Sequence, residues 1–83
     1  MKTIEQEKTE ALKKYGHFNS THEVYAVLLE EVDEFWELVK LPNNDSLLME
    51  QRKGQRMIEE LTQIAAIAQR AIKELEKNEI RWI

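Results

Sequence analysis

One break separates two long stretches of helical periodicity in this chain, and it limits the folds open to it. Leu41-Pro42-Asn43-Asn44-Asp45-Ser46 carries the only proline, and proline beside paired asparagines favours a turn over a helix. Upstream, Ser20 followed by Glu23 has the spacing of a capping box and opens a helix running to about Lys40. Its apolar positions Val24, Leu28, Val32, Phe35 and Val39 line one face, with Tyr25, Leu29 and Trp36 widening it. That stripe is broader than one neighbouring helix covers, so it predicts a helix contacted on two sides. Downstream the period resumes at Leu47 and continues to about Asn78. There Met57, Leu61, Ile64, Ala65, Ala68, Ile72 and Leu75 recur at steps of three and four. Two long helices joined by a short turn predict an antiparallel hairpin.

A third, shorter helix is expected over residues 3–15. Thr3 and Gln6 again fit a capping box, Ile4, Ala11, Leu12 and Tyr15 share a side, and Gly16 is a natural stop. Gly54 leaves two readings for the last segment: a kink, or the junction of a short helix with a long one. The tail Ile80-Arg81-Trp82-Ile83 is apolar for a terminus; packing on its own subunit and contact with another are equally compatible with it.

Eighty-three residues make a single domain, here 1–83, and a chain of this size buries only about 60–65% of its unfolded surface. Small cores need reinforcement. The absence of cysteine excludes disulfides and thiolate zinc sites, and two histidines are a poor basis for structural zinc. Oligomerisation, a hard metal held by carboxylates, or both remain. The expected architecture is all-α: an antiparallel hairpin core with a short N-terminal helix, completed into a four-helix-type bundle by oligomerisation. A net charge of −4 argues against duplex binding. Basic residues such as Arg52, Lys53 and Arg56 are interspersed with acids, which also weakens a nucleic-acid reading. No apolar run is long enough to cross a bilayer, and the charged start Met-Lys-Thr-Ile-Glu-Gln-Glu-Lys does not read as a secretory signal. A cytoplasmic location is the expectation.

The distinctive chemistry lies in Glu30-Glu31-Val32-Asp33-Glu34. Glu31 and Glu34 are three apart, so both carboxylates project from one helix face and repel each other. A cation between them reverses that sign, and Mg²⁺ prefers such oxygen ligands. Glu60 and Gln63, also three apart, sit at the edge of the last helix's stripe, and antiparallel packing brings the two pairs together. Against this stands the ordinary case. Sixteen residues are acidic, and a glutamate-rich face is usually only solvated.

Glu31-x-x-Glu34 followed by Glu60-x-x-Gln63 resembles the MazG-like all-α nucleoside triphosphate pyrophosphohydrolases, whose motif is Glu-Glu-x-x-Glu and then Glu-x-x-Asp. His22-Glu23 and the run Leu61-Thr62-Gln63-Ile64-Ala65-Ala66 also fit, so the similarity spans about residues 17–75. The resemblance implies an antiparallel helical core completed by a dimer or tetramer, and Mg²⁺-dependent cleavage of a nucleoside triphosphate, often deoxy or noncanonical, to monophosphate and pyrophosphate, with Mn²⁺ as a substitute cation. It implies Glu31, Glu34 and Glu60 as metal ligands, with Gln63 as a weaker fourth and Glu30 as a supporting or alternative group. Gln63 departs from the pattern: a neutral amide oxygen ligates weakly and cannot act as a base.

Around this set, His22, Trp36 and Phe18 are candidates for a pocket that stacks the base, although a tryptophan at helical spacing is more often core. Arg70 and Lys73 are candidates for phosphate contact, although basic residues late in a helix also complement its dipole. Two functions follow: a nucleotide pyrophosphohydrolase weakened by Gln63, or a catalytically degenerate, homo-oligomeric interaction module on the same scaffold.

Overall fold

The computed structural model describes residues 1–42 and 47–80, with the side chains of 47–49 excepted. The expected turn residues 43–46 and the tail residues Arg81, Trp82 and Ile83 lie outside the described part. Among the described residues there are three helices: α1 (Ile4–Tyr15), α2 (Thr21–Lys40) and α3 (Leu47–Glu76).

The helix ends follow from local chemistry. At α1 the capping box is complete: the Gln6 amide donates to Thr3 Oγ1 at 3.1 Å and the Thr3 amide to Gln6 Oε1 at 2.8 Å. Gly16 ends α1 at φ 74°, a conformation that costs glycine little, and its amide donates to the Leu12 carbonyl at 2.8 Å. At α2 only half of the expected box forms. Ser20 Oγ accepts from the Glu23 amide at 3.2 Å, but the Glu23 carboxylate turns to Asn19, accepting from its amide and from Nδ2. A one-residue shift of partner suffices because Asn19 offers two donors there.

α3 ends earlier than Asn78. Asn78 adopts φ 57°, its amide donates to the Leu75 carbonyl and the Glu79 amide to the Glu74 carbonyl, the paired bonds of a Schellman stop with asparagine in the left-handed position. Gly54 marks no junction between a short helix and a long one. α3 runs through it for 30 residues, about 45 Å at 1.5 Å per residue, close to the molecule's longest extent of 49 Å.

α3 is the centre, and α1 and α2 each pack on it without packing on one another. Contacts between α2 and α3 run in opposite chain order: Lys53 Nζ donates to the Leu41 carbonyl at one end, and the Phe18 amide to Glu74 Oε1 at the other. The hairpin is antiparallel. α1 runs parallel to α3 on another flank, where Lys8 Nζ donates to Gln69 Oε1 at 3.1 Å. The main core cluster is Phe18, Ile67, Ala71 and Ile80, with Val24, Val27, Leu28 and Leu75 packed against it. Ile80, the described residue of the apolar tail, therefore packs on its own subunit.

Burial does not follow the full apolar stripes. The described side of α3 that faces inward is Glu60, Ala66, Ile67, Arg70, Ala71 and Glu74, whereas Leu61 and Ile72 are exposed. On α2, Val32, Trp36 and Val39 are exposed as well, so α3 covers only one of the two sides that the stripe predicts. No described helix is long and apolar enough to cross a membrane.

Candidate metal centre

The antiparallel register fixes the site. Glu31 and Glu34 lie midway along α2, and α3 places Glu60 opposite them, between the Leu41–Lys53 and Phe18–Glu74 contacts. One carboxylate oxygen from each lies within 4.8 Å of the others. Glu60 is buried, Glu31 half-buried and Glu34 exposed, so the trio grades from helix interface to solvent. Among the described residues no lysine, arginine or histidine forms an ion pair with any of the three. Glu31 Oε2 and Glu60 Oε2 are buried without a hydrogen-bond partner.

Three carboxylates this close cannot all ionise cheaply. Burial, reinforced by a hydrogen bond with Glu60 and the charges of Glu34, Glu60 and Glu30, pushes the Glu31 carboxyl up to about 8. Glu34 is also raised above the ordinary glutamate value, first by partial withdrawal from water and then by the charge and hydrogen bond of Glu60. The donor set is all hard oxygen, with two orphaned buried lone-pair sites, and it suits a hard divalent cation better than a soft one.

The other sequence candidates are placed elsewhere. Glu30 is exposed beside the trio and acts on it through charge. Gln63 is half-buried and lines a groove between α1 and α3 with Met1, Lys2, Glu7, Glu59 and Thr62. His22 is exposed at the start of α2, about 14 Å along the helix from Glu31. Trp36 is exposed, with Lys40 Nζ 5.9 Å from its ring, and Phe18 is enclosed in the core. The structure therefore keeps Trp36, Phe18 and His22 apart, because Phe18 is needed where the α1–α2 connection seals the end of the hairpin.

Arg70 lies about 15 Å along α3 from Glu60 and is buried. Its Nη2 donates to the Gly16 carbonyl at 2.8 Å and its guanidinium lies 4.4 Å from the Phe18 ring, so it fastens the α1–α2 connection to α3. Lys73 lies a further turn away, on the rim of a cleft shared with His17 and Glu74. Within one subunit neither cation sits beside the carboxylate trio.

Sequence reasoning passed over a second constellation. His17 Nδ1 lies 3.1 Å from Glu79 Oε2 and 3.5 Å from Glu74 Oε1, and Glu74 Oε1 also accepts from the Phe18 amide. These groups already satisfy one another and tie the connection to the end of α3. The signal available was weak: a histidine after the stop glycine, and Glu74 on the same side of α3 as Glu60. In comparisons with known proteins, no family model, curated protein or solved structure matches the chain.

Proposed function

We propose that the chain is a divalent-cation-dependent nucleotide pyrophosphohydrolase of the MazG-like kind, working as an assembly of copies of itself. One observation carries this reading: Glu31, Glu34 and Glu60, from two helices, converge within 4.8 Å, and among the described residues no lysine, arginine or histidine forms an ion pair with them. One buried oxygen each of Glu31 and Glu60, Oε2 in both, has no hydrogen-bond partner, which makes the fit better than a merely solvated acidic face would. Glu31, Glu34 and Glu60 would hold Mg²⁺, or Mn²⁺ in its place. Such a cation, when bound, supplies Lewis-acid polarisation of a phosphoryl group and activates a water molecule.

The chain's own groups set the conditions. Glu31 keeps a proton at neutral pH that cation binding must displace, so affinity rises with pH. Glu34, exposed at the rim, faces the side from which a triphosphate approaches, and Glu30 adds negative charge beside it. The reaction is cleavage of a nucleoside triphosphate to monophosphate and pyrophosphate. A non-catalytic interaction module on the same scaffold is the second reading. Two observations favour it: the amide of Gln63 where the motif has a carboxylate, and the uncovered apolar side of the hairpin.

A panel of NTPs and dNTPs with Mg²⁺ or Mn²⁺ separates the two. The first reading expects pyrophosphate release and its loss in Glu34→Gln. Silence from every nucleotide at high protein concentration leaves the interaction module.

A further inference from the structure

A second set of donor atoms closes the far end of the hairpin, about 21 Å along α3 from Glu60. Backbone devices aim its side chains at one point. Gly16, at φ 74°, turns the chain out of α1 and leaves His17 beside the end of α3. The left-handed Asn78 folds the chain back after α3, so the Glu79 amide donates to the Glu74 carbonyl at 2.8 Å. Glu74 is buried, and its Oε1 accepts from the Phe18 amide at 2.8 Å. His17 Nδ1 lies 3.1 Å from Glu79 Oε2 and 3.5 Å from Glu74 Oε1, and one donor atom from each residue falls within 4.8 Å of the others. Two ligands ~2.1 Å from one ion, at the angles of a tetrahedron or octahedron, stand about 3.0–3.4 Å apart. The measured separations are of that length. Arg70 adds an independent sign. Only 8% exposed, it has no hydrogen-bond partner for Nε among the described residues, and that nitrogen stands 3.9 Å from Glu74 Oε2. The buried carboxylate therefore stops short of a hydrogen bond to its own arginine and turns its other oxygen to His17.

We infer that His17, Glu74 and Glu79 bind one divalent transition-metal ion of the zinc class. Without an ion, a single Nδ1 proton is shared between two carboxylates; an ion bonds to all three donors at once, with the imidazole proton carried on Nε2. Charge decides which ion. Lys8, Arg70, Lys73 and Lys77 line the same cleft and outnumber its three carboxylates, so net charge does not draw a hard cation in. The directional bond to imidazole nitrogen must supply the affinity, which favours Zn²⁺, Co²⁺ or Ni²⁺ over Mg²⁺ and Ca²⁺. The all-oxygen trio of Glu31, Glu34 and Glu60 has the opposite preference. One histidine suffices because two carboxylates complete a three-ligand set, and the half-exposed His17 leaves the remaining position open to water. The Phe18 amide on Glu74 Oε1 fixes that ligand's orientation, as groups behind a metal ligand commonly do. Such an ion fastens the α1–α2 connection, α3 and the segment after it at a single point. Phe18 and Ile80, the chain neighbours of His17 and Glu79, both belong to the core cluster, so the ion staples the end of the hairpin where the core lies. Glu31, Glu34 and Glu60 take no part, so this site and the proposed function stand or fall separately.

Nitrogen-detected NMR of the two imidazoles, with Zn²⁺ titrated into the full chain, tests it directly. The His17 Nδ1 resonance is expected to shift and to saturate at one equivalent, while both nitrogens of His22 stay in place. The same titration of Glu31→Gln, which removes a member of the trio, is expected to look like wild type. A tenfold excess of Mg²⁺, chosen to be on the order of what fills a weak hard-cation site, should leave the His17 nitrogens unmoved. Co²⁺ gives a second readout: its visible absorption bands should appear with wild type and be lost in His17→Gln and in Glu79→Gln. Neither side chain is buried, so both variants should keep their helical circular dichroism. An unmoved His17 Nδ1 in wild type overturns the proposal, and that result depends on no variant folding. So do Co²⁺ bands that persist in folded His17→Gln, or a His17 response that disappears in Glu31→Gln. An equal response to Mg²⁺ overturns the choice of ion on which the argument rests.

Discussion

At the middle of α2, Glu31 holds its proton well above the range in which a free glutamic acid releases it. The folded chain keeps this proton up to about pH 8, whereas the unfolded chain gives it up near the ordinary value of 4.5. The stability it contributes is therefore full below about pH 4.5 and is lost as pH rises through about 8. Glu34 shifts in the same direction. Thermal unfolding of metal-free protein should thus show a melting temperature that falls from pH 5 to pH 9. Glu31→Gln should flatten that slope and stabilise the chain at pH 8.5. One pKa unit surviving solvent screening is worth about 1.4 kcal/mol, or ~4–8 °C for a domain of this size. Added Mg²⁺ should raise the melting temperature of wild type more at pH 8.5 than at pH 5.5, and equal shifts at both would sink the shared-proton account. Arg70 behaves oppositely. Removing it leaves the Gly16 carbonyl without its donor and the buried Glu74 carboxylate less compensated. Arg70→Ala should cost about 3 kcal/mol by the rule for breaking buried charge pairs. Arg70→Lys should not restore it, because an ammonium cannot both reach the carbonyl and lie flat on Phe18. Urea titration of the two variants checks this.

At the scale of the helices, Gly54 is the weakest residue of α3. It sits in an unbroken helix, and a Cβ added there meets nothing within 4 Å. Gly54→Ala should stabilise by about 0.5–1 kcal/mol, with no change in assembly or metal response, and denaturant unfolding reads it. The same position explains what periodicity does and does not reveal. Spacing of Val24, Leu28, Ile64 and Leu75 locates the two helices of the hairpin, since a 3.6-residue period acts locally. Capping pairs mark the starts at Thr3 and Ser20 for the same reason. The end of α3 was less legible because Asn78 looks like any helix-tolerated residue until its backbone turns left-handed. Convergence of Glu31, Glu34 and Glu60 was readable from i,i+3 spacing on an antiparallel hairpin, whereas Gln63, the other member of the second pair, lies in the groove against α1. The partners of Arg70, Phe18 and His17 were not, because they are set by how α1 meets the end of α3, a contact no local pattern encodes. The apolar stripes were visible, but which half of each meets a helix of the same chain is fixed only by packing.

For the whole molecule, the question is whether one subunit can stay folded by itself. Among the described residues no large side chain is fully enclosed, and α1 buries none of its residues. The core is a small cluster at one end of the hairpin, with Leu38 buried toward the other. Helical stability in proteins comes mainly from packing an apolar face, and here Tyr25, Val32, Trp36 and Ile72 are left exposed among the described residues. Folding should therefore be coupled to assembly, and the melting temperature should depend on protein concentration. For a dimer that unfolds in one step, a tenfold rise in concentration adds about 1.4 kcal/mol. Spread over two chains of 83 residues, at about 2.1 cal/mol/K per residue, that is about 4 °C per decade. Scanning calorimetry or circular dichroism at 2, 20 and 200 µM, chosen to span about two decades around a micromolar affinity, should show roughly 8 °C in all. Folded Trp36→Glu should melt lower and at one temperature throughout. A wild-type melting temperature constant over the same range, in a chain that sedimentation finds assembled, would mean that the small core holds alone and that docking joins subunits already folded.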